Sequence, residues 1–179
     1  MELLVAGEDV EPALLAEVSE LAHPPRVIAV YRREDLPQGG RTATLALWHV
    51  ADPGNVGTLI RTADAFGAGV GLSSGCADPT GPKALRASMG SIFRVPVGGF
   101  DDAAGRRIAL VPRRGEPLAG VDLSGDVVFV LGAERDGLPE DVLAGCDALA
   151  TIPLAGAESL NVAMAGTIAL YELARRTAV

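Results

Sequence analysis

The sequence predicts an α/β fold whose sheet is mainly parallel, and two observations support this prediction. Short apolar runs alternate along the chain with segments of helical periodicity, which is the order expected when helices connect parallel strands. The runs are apolar almost without interruption, as strands are when helices cover both faces of a sheet. The predicted strands are RVIAVY (26–31), TLALWHV (44–50), VGLSS (70–74), RIALV (107–111), VVFVL (127–131) and ATI (150–152).

Four helices are predicted in the main part of the chain. The first ends at Gly67, because glycine is typical of helix ends. The last ends with Arg175 and Arg176, two cations that suit the negative end of a helix. Its segment VAMAGTIALY (162–171) is apolar or small on every face, which predicts burial on all sides. The helices are VGTLIRTADAF (56–66), KALRASMG (83–90), LPEDVLAG (138–145) and about Ser159 to Arg176.

Residues 1–42 differ from the rest of the chain. EDVEPALLAEVSELA predicts a helix, HPP and one strand follow it, and REDLPQGGRT is typical of a linker. A segment of about forty residues rarely forms an independent domain. We therefore expect residues 1–42 to be an N-terminal appendage and residues 43–179 to be the main domain.

Composition indicates a globular protein in the cytoplasm. The chain has 179 residues, of which 49% are hydrophobic, and its mean hydropathy is +0.30, so it can bury a substantial core. No apolar run approaches the ~18 uninterrupted residues of a membrane span. The acidic start, MELLVAGEDVEP, lacks the basic region of a secretion signal.

The cysteine and histidine content argues against a metal site. Cys76 and Cys146 lack the CxxC spacing of zinc ligands, and only His23 and His49 accompany them. We expect no bound metal and two reduced cysteines.

The net charge of −8 argues against nonspecific binding of nucleic acid. All but one of the 15 basic residues are arginines, and several occur in adjacent pairs. These pairs are compatible with local basic patches or with solvated surface charge. The charge alone does not choose between the two interpretations.

Three loops that follow predicted strands carry the candidate site residues. Ligands of α/β sheets bind outside the carboxyl ends of strands, so these loops are the expected location of a site. ADPGNVGTLIR contains Asn55 and Arg61, GAERDGLPED contains Glu134, and PLAGAESLN contains Ser159 and Asn161. The phosphate-binding, nucleophile-elbow and zinc-protease motifs GxxxxGK[ST], GxSxG and HExxH are absent.

The same loops resemble a known family. DPGNVGTLIRTADAFGA, VFVLGAERDGLPEDV and TIPLAGAESLNVAMAGTIALYELARR resemble, in order and spacing, the three motifs of the SpoU/TrmH branch of the SPOUT RNA methyltransferases. KALRASMGSIFRVPV is similar to the connection between the first two motifs, and the likeness covers roughly residues 43–176. This resemblance implies a C-terminal deep trefoil knot, a homodimer, S-adenosylmethionine as methyl donor and an RNA substrate.

The resemblance also implies which residues bind the methyl donor. In the family, the adenosine part of the donor lies among the backbones of the second and third motifs. Glycine lets a ligand approach closely, and apolar side chains receive the adenine ring. The matching residues here are Leu131, Gly132, Ala133, Ile152, Pro153, Leu160 and Asn161.

The family's reaction transfers the methyl group to a ribose 2′-hydroxyl, and Arg61 matches the family's catalytic arginine. A guanidinium is effectively always protonated, which argues against a general base. We favour a role in which Arg61 stabilises the developing alkoxide and holds a neighbouring phosphate. Whether Arg61 acts in its own site or in that of the partner subunit stays open.

The other matched polar residues have structural alternatives. Asn55 could be the N-cap of the first-motif helix, and the resemblance adds that it orients Arg61 or the acceptor ribose. Glu134 is implied to hold Asn55 or loop backbone. Ser159 is implied to position substrate or water and Asn161 to order the loop, while both could also cap the last helix.

We expect a 2′-O-ribose RNA methyltransferase, with ribosomal RNA favoured over transfer RNA. Many family members carry an N-terminal RNA-binding domain of ribosomal-protein type, and residues 1–42 resemble only the end of one. Either the chain is truncated or the protein works with little appendage. A base-methylating SPOUT enzyme is one alternative. A catalytically silent knotted RNA-binding or assembly module is the other.

Overall fold

The computed structural model describes residues 2–19 and 23–177, which divide into the units Met1–Leu36 and Pro37–Val179. In the first unit, strands β1 (Glu2–Val5) and β2 (Val27–Val30) pair antiparallel, and helix α1 (Pro12–Ser19) connects them. A turn of 3-10 helix follows at Arg33–Asp35. The predicted helix is confirmed within the described residues, which leave out residues 20–22. The strand predicted at 26–31 is also present, but it pairs with β1, which was not predicted, and most of its residues are exposed rather than covered on both faces.

The second unit contains a seven-stranded sheet in which every neighbouring pair is parallel. The strand order is β5-β4-β3-β8-β6-β9-β7. The predicted α/β class with a parallel sheet is therefore confirmed. The strands are β3 (Ala43–Leu47), β4 (Gly69–Leu72), β5 (Val97–Gly99), β6 (Arg106–Leu110), β7 (Glu116–Pro117), β8 (Val127–Leu131) and β9 (Ala148–Thr151).

Four α-helices accompany this sheet, and each begins one to three residues from its predicted start, with the largest differences at the first and the last helix. Asp52 caps the first helix, and Pro53 occupies its first turn, so it starts three residues earlier than predicted. The last helix begins at Val162 rather than Ser159. The helices are α2 (Pro53–Phe66), α3 (Pro82–Ser88), α4 (Glu140–Ala144) and α5 (Val162–Thr177).

Both faces of the sheet are covered, as the continuous apolar strands predict. All five residues of β3 and of β8 are buried. On one face, α5 packs so closely that a Cβ on Gly166 would lie 3.1 Å from Leu131 Cδ1. On the other face, Phe100 and Leu143 pack with the small and β-branched residues of β3, β6 and β8.

The prediction that α5 is buried on all sides is wrong for this chain. Met164, Ile168 and Tyr171 have exposed fractions of 51%, 37% and 57%. They are four and three positions apart, so they share one face of the helix. Ala163 and Gly166, on another side of the helix, are buried.

The structure also describes the helix lengths, the cysteines and the grouping of possible metal ligands. No helix within the described residues is long and apolar enough to cross a membrane. Both cysteines are free, and burial raises the pKa of the Cys146 thiol. Within residues 2–19 and 23–177, no three His, Cys, Asp or Glu side chains are grouped as metal ligands would be. The trefoil knot stays a prediction.

We predict that Gly57→Ala lowers the free energy of unfolding by about 1–2 kcal/mol in urea denaturation. Alanine favours a helix over glycine by about 1 kcal/mol. However, the added Cβ would overlap the Ala84 carbonyl oxygen and lie 2.7 Å from Ala87 Cβ, where α3 packs on α2. The control Ala65→Ser, on the exposed part of α2, should change stability by less than about 0.5 kcal/mol. A more stable Gly57→Ala protein would contradict close packing of α2 and α3.

Candidate active site

A cleft of about 520 Å³ opens at the carboxyl ends of β6, β8 and β9, beside the start of α5. These three strands are neighbours in the sheet, so the loops that follow them meet at one edge. Apolar side chains and loop backbone form most of its surface. The lining residues are Leu110, Val111, Pro112, Leu131, Gly132, Ala133, Glu134, Arg135, Gly137, Ile152, Leu154, Glu158, Ser159, Leu160, Asn161, Val162 and Ala165.

The structure brings most of the predicted site residues to this cleft. Six of the seven residues predicted to bind the donor line it, and Pro153 is exposed outside the lining. Glu134 and Ser159 also line it, and Asn55 contacts it through hydrogen bonds. Arg61 alone among the predicted catalytic residues is not brought to the cleft of its own chain.

Sequence reasoning missed the wall formed by Leu110, Val111 and Pro112. A signal was available, because these residues follow the predicted strand 107–111 in the same way as the three loops that were singled out. The two arginines of this loop, Arg113 and Arg114, were considered only among the adjacent arginine pairs and not as part of a site. Its position between the other two strand ends depends on the strand order, which the sequence does not show.

The loop after β8 explains why residue 132 is glycine. The N–H groups of Ala133 and Gly137 donate to each other's carbonyl oxygens at 3.2 and 3.1 Å, which closes a tight loop. A Cβ on Gly132 would overlap the Gly137 carbonyl group and lie 2.6 Å from the Leu138 nitrogen. Glycine is therefore required by the approach of the loop's own backbone.

A chain of hydrogen bonds connects the three motif loops. Asn55 Nδ2 donates to Glu134 Oε1 at 2.9 Å, and Asn161 Nδ2 donates to Asn55 Oδ1 at 3.0 Å. We call Glu134, Asn55 and Asn161 the polar relay. The structure thus brings together three residues that the sequence separates by up to 106 positions.

The first turn of α5 fixes the direction of the polar relay. Asn161 Oδ1 accepts hydrogen bonds from the N–H groups of Ala163 at 2.9 Å and Met164 at 3.3 Å, so Asn161 caps the helix. Because its oxygen is used in this way, its amide nitrogen must donate to Asn55. Asn55 then presents its own nitrogen to the Glu134 carboxylate. Ser159 lies before the helix and takes no part in the cap.

The prediction that Asn55 could be the N-cap of the first-motif helix is wrong. Asp52 Oδ1 accepts from the N–H groups of Gly54 at 2.5 Å and Asn55 at 3.1 Å. The Asn55 backbone bond is the main cause that lowers the pKa of Asp52, and the Gly54 and Lys83 contacts act in the same direction. Asp52 caps the helix, which leaves the Asn55 side chain free to join the polar relay.

Arg61 points away from the polar relay. At 3.6 residues per turn, six positions along α2 place Arg61 about 120° around the axis from Asn55. Thr62, on the side of α2 that faces α5, instead pairs its hydroxyl with that of Thr167 at 3.2 Å. Arg61 is exposed and makes no ion pair or hydrogen bond within the part of the chain that the structure describes.

An all-parallel sheet with an apolar cleft at its carboxyl edge defines an α/β protein that binds an organic ligand where several strand ends meet. The sequence profile of the SpoU rRNA Methylase family matches residues 42–171, which include all three motif loops. The chain belongs to this family.

Similar proteins agree with the family assignment. The 23S rRNA (guanosine(2553)-2'-O)-methyltransferase RlmP of Bacillus subtilis is 34% identical over 87% of this chain and 67% of its own length. An AdoMet-bound rRNA methyltransferase from Sinorhizobium meliloti is 34% identical with a TM-score of 0.78, over 93% of this chain and 70% of that one. The SpoU methyltransferase AviRb of Streptomyces viridochromogenes, in complex with AdoMet, is 28% identical with a TM-score of 0.76, over 94% of this chain and 72% of that one.

The chain spans between 45% and 67% of the length of the curated relatives it matches. The matched region includes the cleft and the polar relay.

We predict that the charge of Asp52 stabilises the fold at neutral pH. Asp52→Ala removes the cap and should lower the free energy of unfolding by about 1 kcal/mol at pH 7. The control is Asp52→Asn, which keeps the acceptor oxygen but removes the charge. It should lower the free energy of unfolding by less than Asp52→Ala does.

The stabilisation that the Asp52 charge provides should decrease at low pH. The pKa of Asp52 is lower in the folded protein than its usual value of 3.8, so its charge contributes fully above that value. The contribution is lost as the pH falls through the lowered pKa. The difference in unfolding free energy between wild type and Asp52→Asn should therefore shrink below pH 3.8. An equal difference at pH 7 and at about pH 2 would contradict this role.

Proposed function

We propose that this chain is the catalytic domain of an RNA methyltransferase that transfers a methyl group from S-adenosylmethionine to a ribose 2′-hydroxyl. The observation that carries the proposal is the polar relay, because Glu134, Asn55 and Asn161 come from three separate loops and converge at the cleft. RlmP and AviRb, which share the family, support the reaction and the donor by their names.

The cleft fits the adenosine part of the donor. Its volume of about 520 Å³ lies within the ~300–1,000 Å³ of most organic ligand sites. Leu131, Ile152 and Leu160 supply apolar walls for a purine ring, and the backbone at Gly132 and Ala133 supplies polar groups. The bound donor would supply a methyl group on a positively charged sulfur.

The polar relay presents a fixed set of polar groups beside this cleft. The Asn55 amide is held at both its oxygen and its nitrogen, so it cannot rotate freely. Fixed dipoles of this kind orient an acceptor ribose without reorganising during the reaction. Ser159, at the same cleft, is suited to position substrate or water.

Arg61 completes the site from a partner subunit. Its guanidinium has no acidic partner within the described chain and lies outside its own cleft, so it is available to a second copy. Its charge would stabilise the developing alkoxide of the 2′-hydroxyl and hold a neighbouring phosphate. The exposed apolar face of α5, formed by Met164, Ile168 and Tyr171, supports a homodimer because such a face is costly to leave in water.

The preferred substrate is ribosomal RNA, with transfer RNA second, and the site of action is the cytoplasm. Relatives named as 23S rRNA methyltransferases support this order. The net charge of −8 makes strong RNA binding by this chain alone unexpected. We propose that residues 1–42 are the end of an RNA-binding domain and a linker, and that a basic RNA-binding surface lies outside this chain.

We predict that this chain forms a dimer that binds S-adenosylhomocysteine, the demethylated donor. Calorimetric titration should give one site per chain, and light scattering should give twice the chain mass. A folded dimer that binds no S-adenosylhomocysteine would favour the catalytically silent module. Methylation of a base rather than a ribose, seen by nucleoside analysis, would favour the base-methylating alternative.

We also predict that Arg61 acts in the site of the partner subunit. Arg61→Ala and Asn161→Asp proteins should each lose methyl transfer, while Asn161→Asp keeps the helix cap because aspartate also accepts the two N–H bonds. A heterodimer of the two, co-expressed with different tags, should recover about half of the wild-type rate, since one of its two sites is complete. Arg86→Ala, an exposed arginine of α3, is the control and should retain the rate. No recovery in the heterodimer would place Arg61 in its own chain's site.

A further inference from the structure

The segment between β9 and α5 is poorly tied to the rest of the protein. Residues 152–160 form one wall of the cleft, to which Ile152, Leu154 and Leu160 contribute apolar side chains. Within the described chain, a single hydrogen bond reaches any residue from 152 to 160. A wall held so weakly needs an additional constraint if the cleft is to keep one shape.

That single bond comes from Arg113. Arg113 Nη2 donates to the Ala157 carbonyl oxygen at 3.3 Å. Its backbone N–H also donates to the Thr151 hydroxyl at 3.0 Å, and Thr151 is the last residue of β9. Arg113 therefore holds residues 152–157 at both ends, once through its backbone and once through its side chain.

The backbone of Arg113 indicates that this arrangement is specific. Arg113 has a φ of 56°, in the left-handed region that residues other than glycine rarely adopt. It lies in the loop after β6, next to Pro112, which lines the cleft. This conformation lets the N–H group reach Thr151 while the side chain crosses to Ala157.

We propose that Arg113 is a positioning residue that keeps residues 152–160 closed against the cleft, so that their apolar side chains meet the methyl donor. The inference rests on the proposed function, because it assumes that the donor binds in this cleft. Arg113 does not line the cleft itself and acts through the Ala157 carbonyl group. Charge-assisted hydrogen bonds are stronger than neutral ones, which suits a single tether.

Arg114 provides a matched control. It is the next residue in the same loop and carries the same charge, but its Nη1 pairs with Glu140 Oε1 at 2.9 Å at the start of α4. Arg114 makes no contact with residues 152–160 within the described chain. Its removal changes the net charge in the same way and leaves the Ala157 bond in place.

The test is Arg113→Gly beside Arg114→Ala. Glycine removes the side chain and accepts the left-handed φ without strain, so thermal stability should be unchanged or raised. Subtilisin, a protease of broad specificity, should cleave within residues 152–160 about tenfold faster in Arg113→Gly than in wild type. The dissociation constant for S-adenosylhomocysteine should rise about five- to tenfold by calorimetry. Arg114→Ala should match wild type in both measurements.

The outcomes separate the inference from the proposed function. Wild-type affinity in Arg113→Gly, with or without faster cleavage, would overturn the positioning role while the donor site stands. Loss of affinity together with a lowered melting temperature would also overturn it, because a general loss of stability would then explain the effect. Failure of the wild-type protein to bind S-adenosylhomocysteine would overturn the proposed function, and this inference with it.

Discussion

The arrangement of the cleft depends on the hydrogen bond between the side chains of Asn161 and Asn55. Asn161 uses its oxygen to cap α5 and its nitrogen to bind Asn55. One amide therefore fixes both the start of a helix and the position of the first motif. Asn55 in turn holds Glu134 in the loop after β8. Since each amide has both a donor and an acceptor, reversing the Asn55 amide would break two bonds and reversing the Asn161 amide would break three.

The supporting contacts keep Asn55 within reach of that bond. Asp52 caps α2 and thereby leaves the Asn55 side chain unused by the helix. The close packing of Gly166 against Leu59 and Leu131 sets α5 directly on α2 and β8. Helix caps and small-residue packing, which are usually discussed as sources of stability, here also determine where polar groups point.

The sequence predicts the fold well where a local pattern exists and fails where a partner lies far away. The continuous apolar runs of β3 and β8 identify two central strands, but the residues VGG of β5 and EP of β7 have no strand pattern. Asn55 and Asp52 are both common helix caps, so the sequence alone does not tell which one caps α2. The site residues were identified from a resemblance to a family. The hydrogen bonds among them, and the wall at residues 110–112, could be identified only from the strand order and the three-dimensional structure.

The distance along the chain between Asn55 and Asn161 also bears on how the protein is made. Their 106-residue separation, and the pairing of β3 with β8 across most of the domain, give the fold many contacts between remote parts of the sequence. Folds of this kind form slowly, because the intervening chain must be ordered before such contacts can form. During synthesis, β3 and α2 leave the ribosome long before α5. A nascent chain therefore has no complete cleft until α5 has been translated.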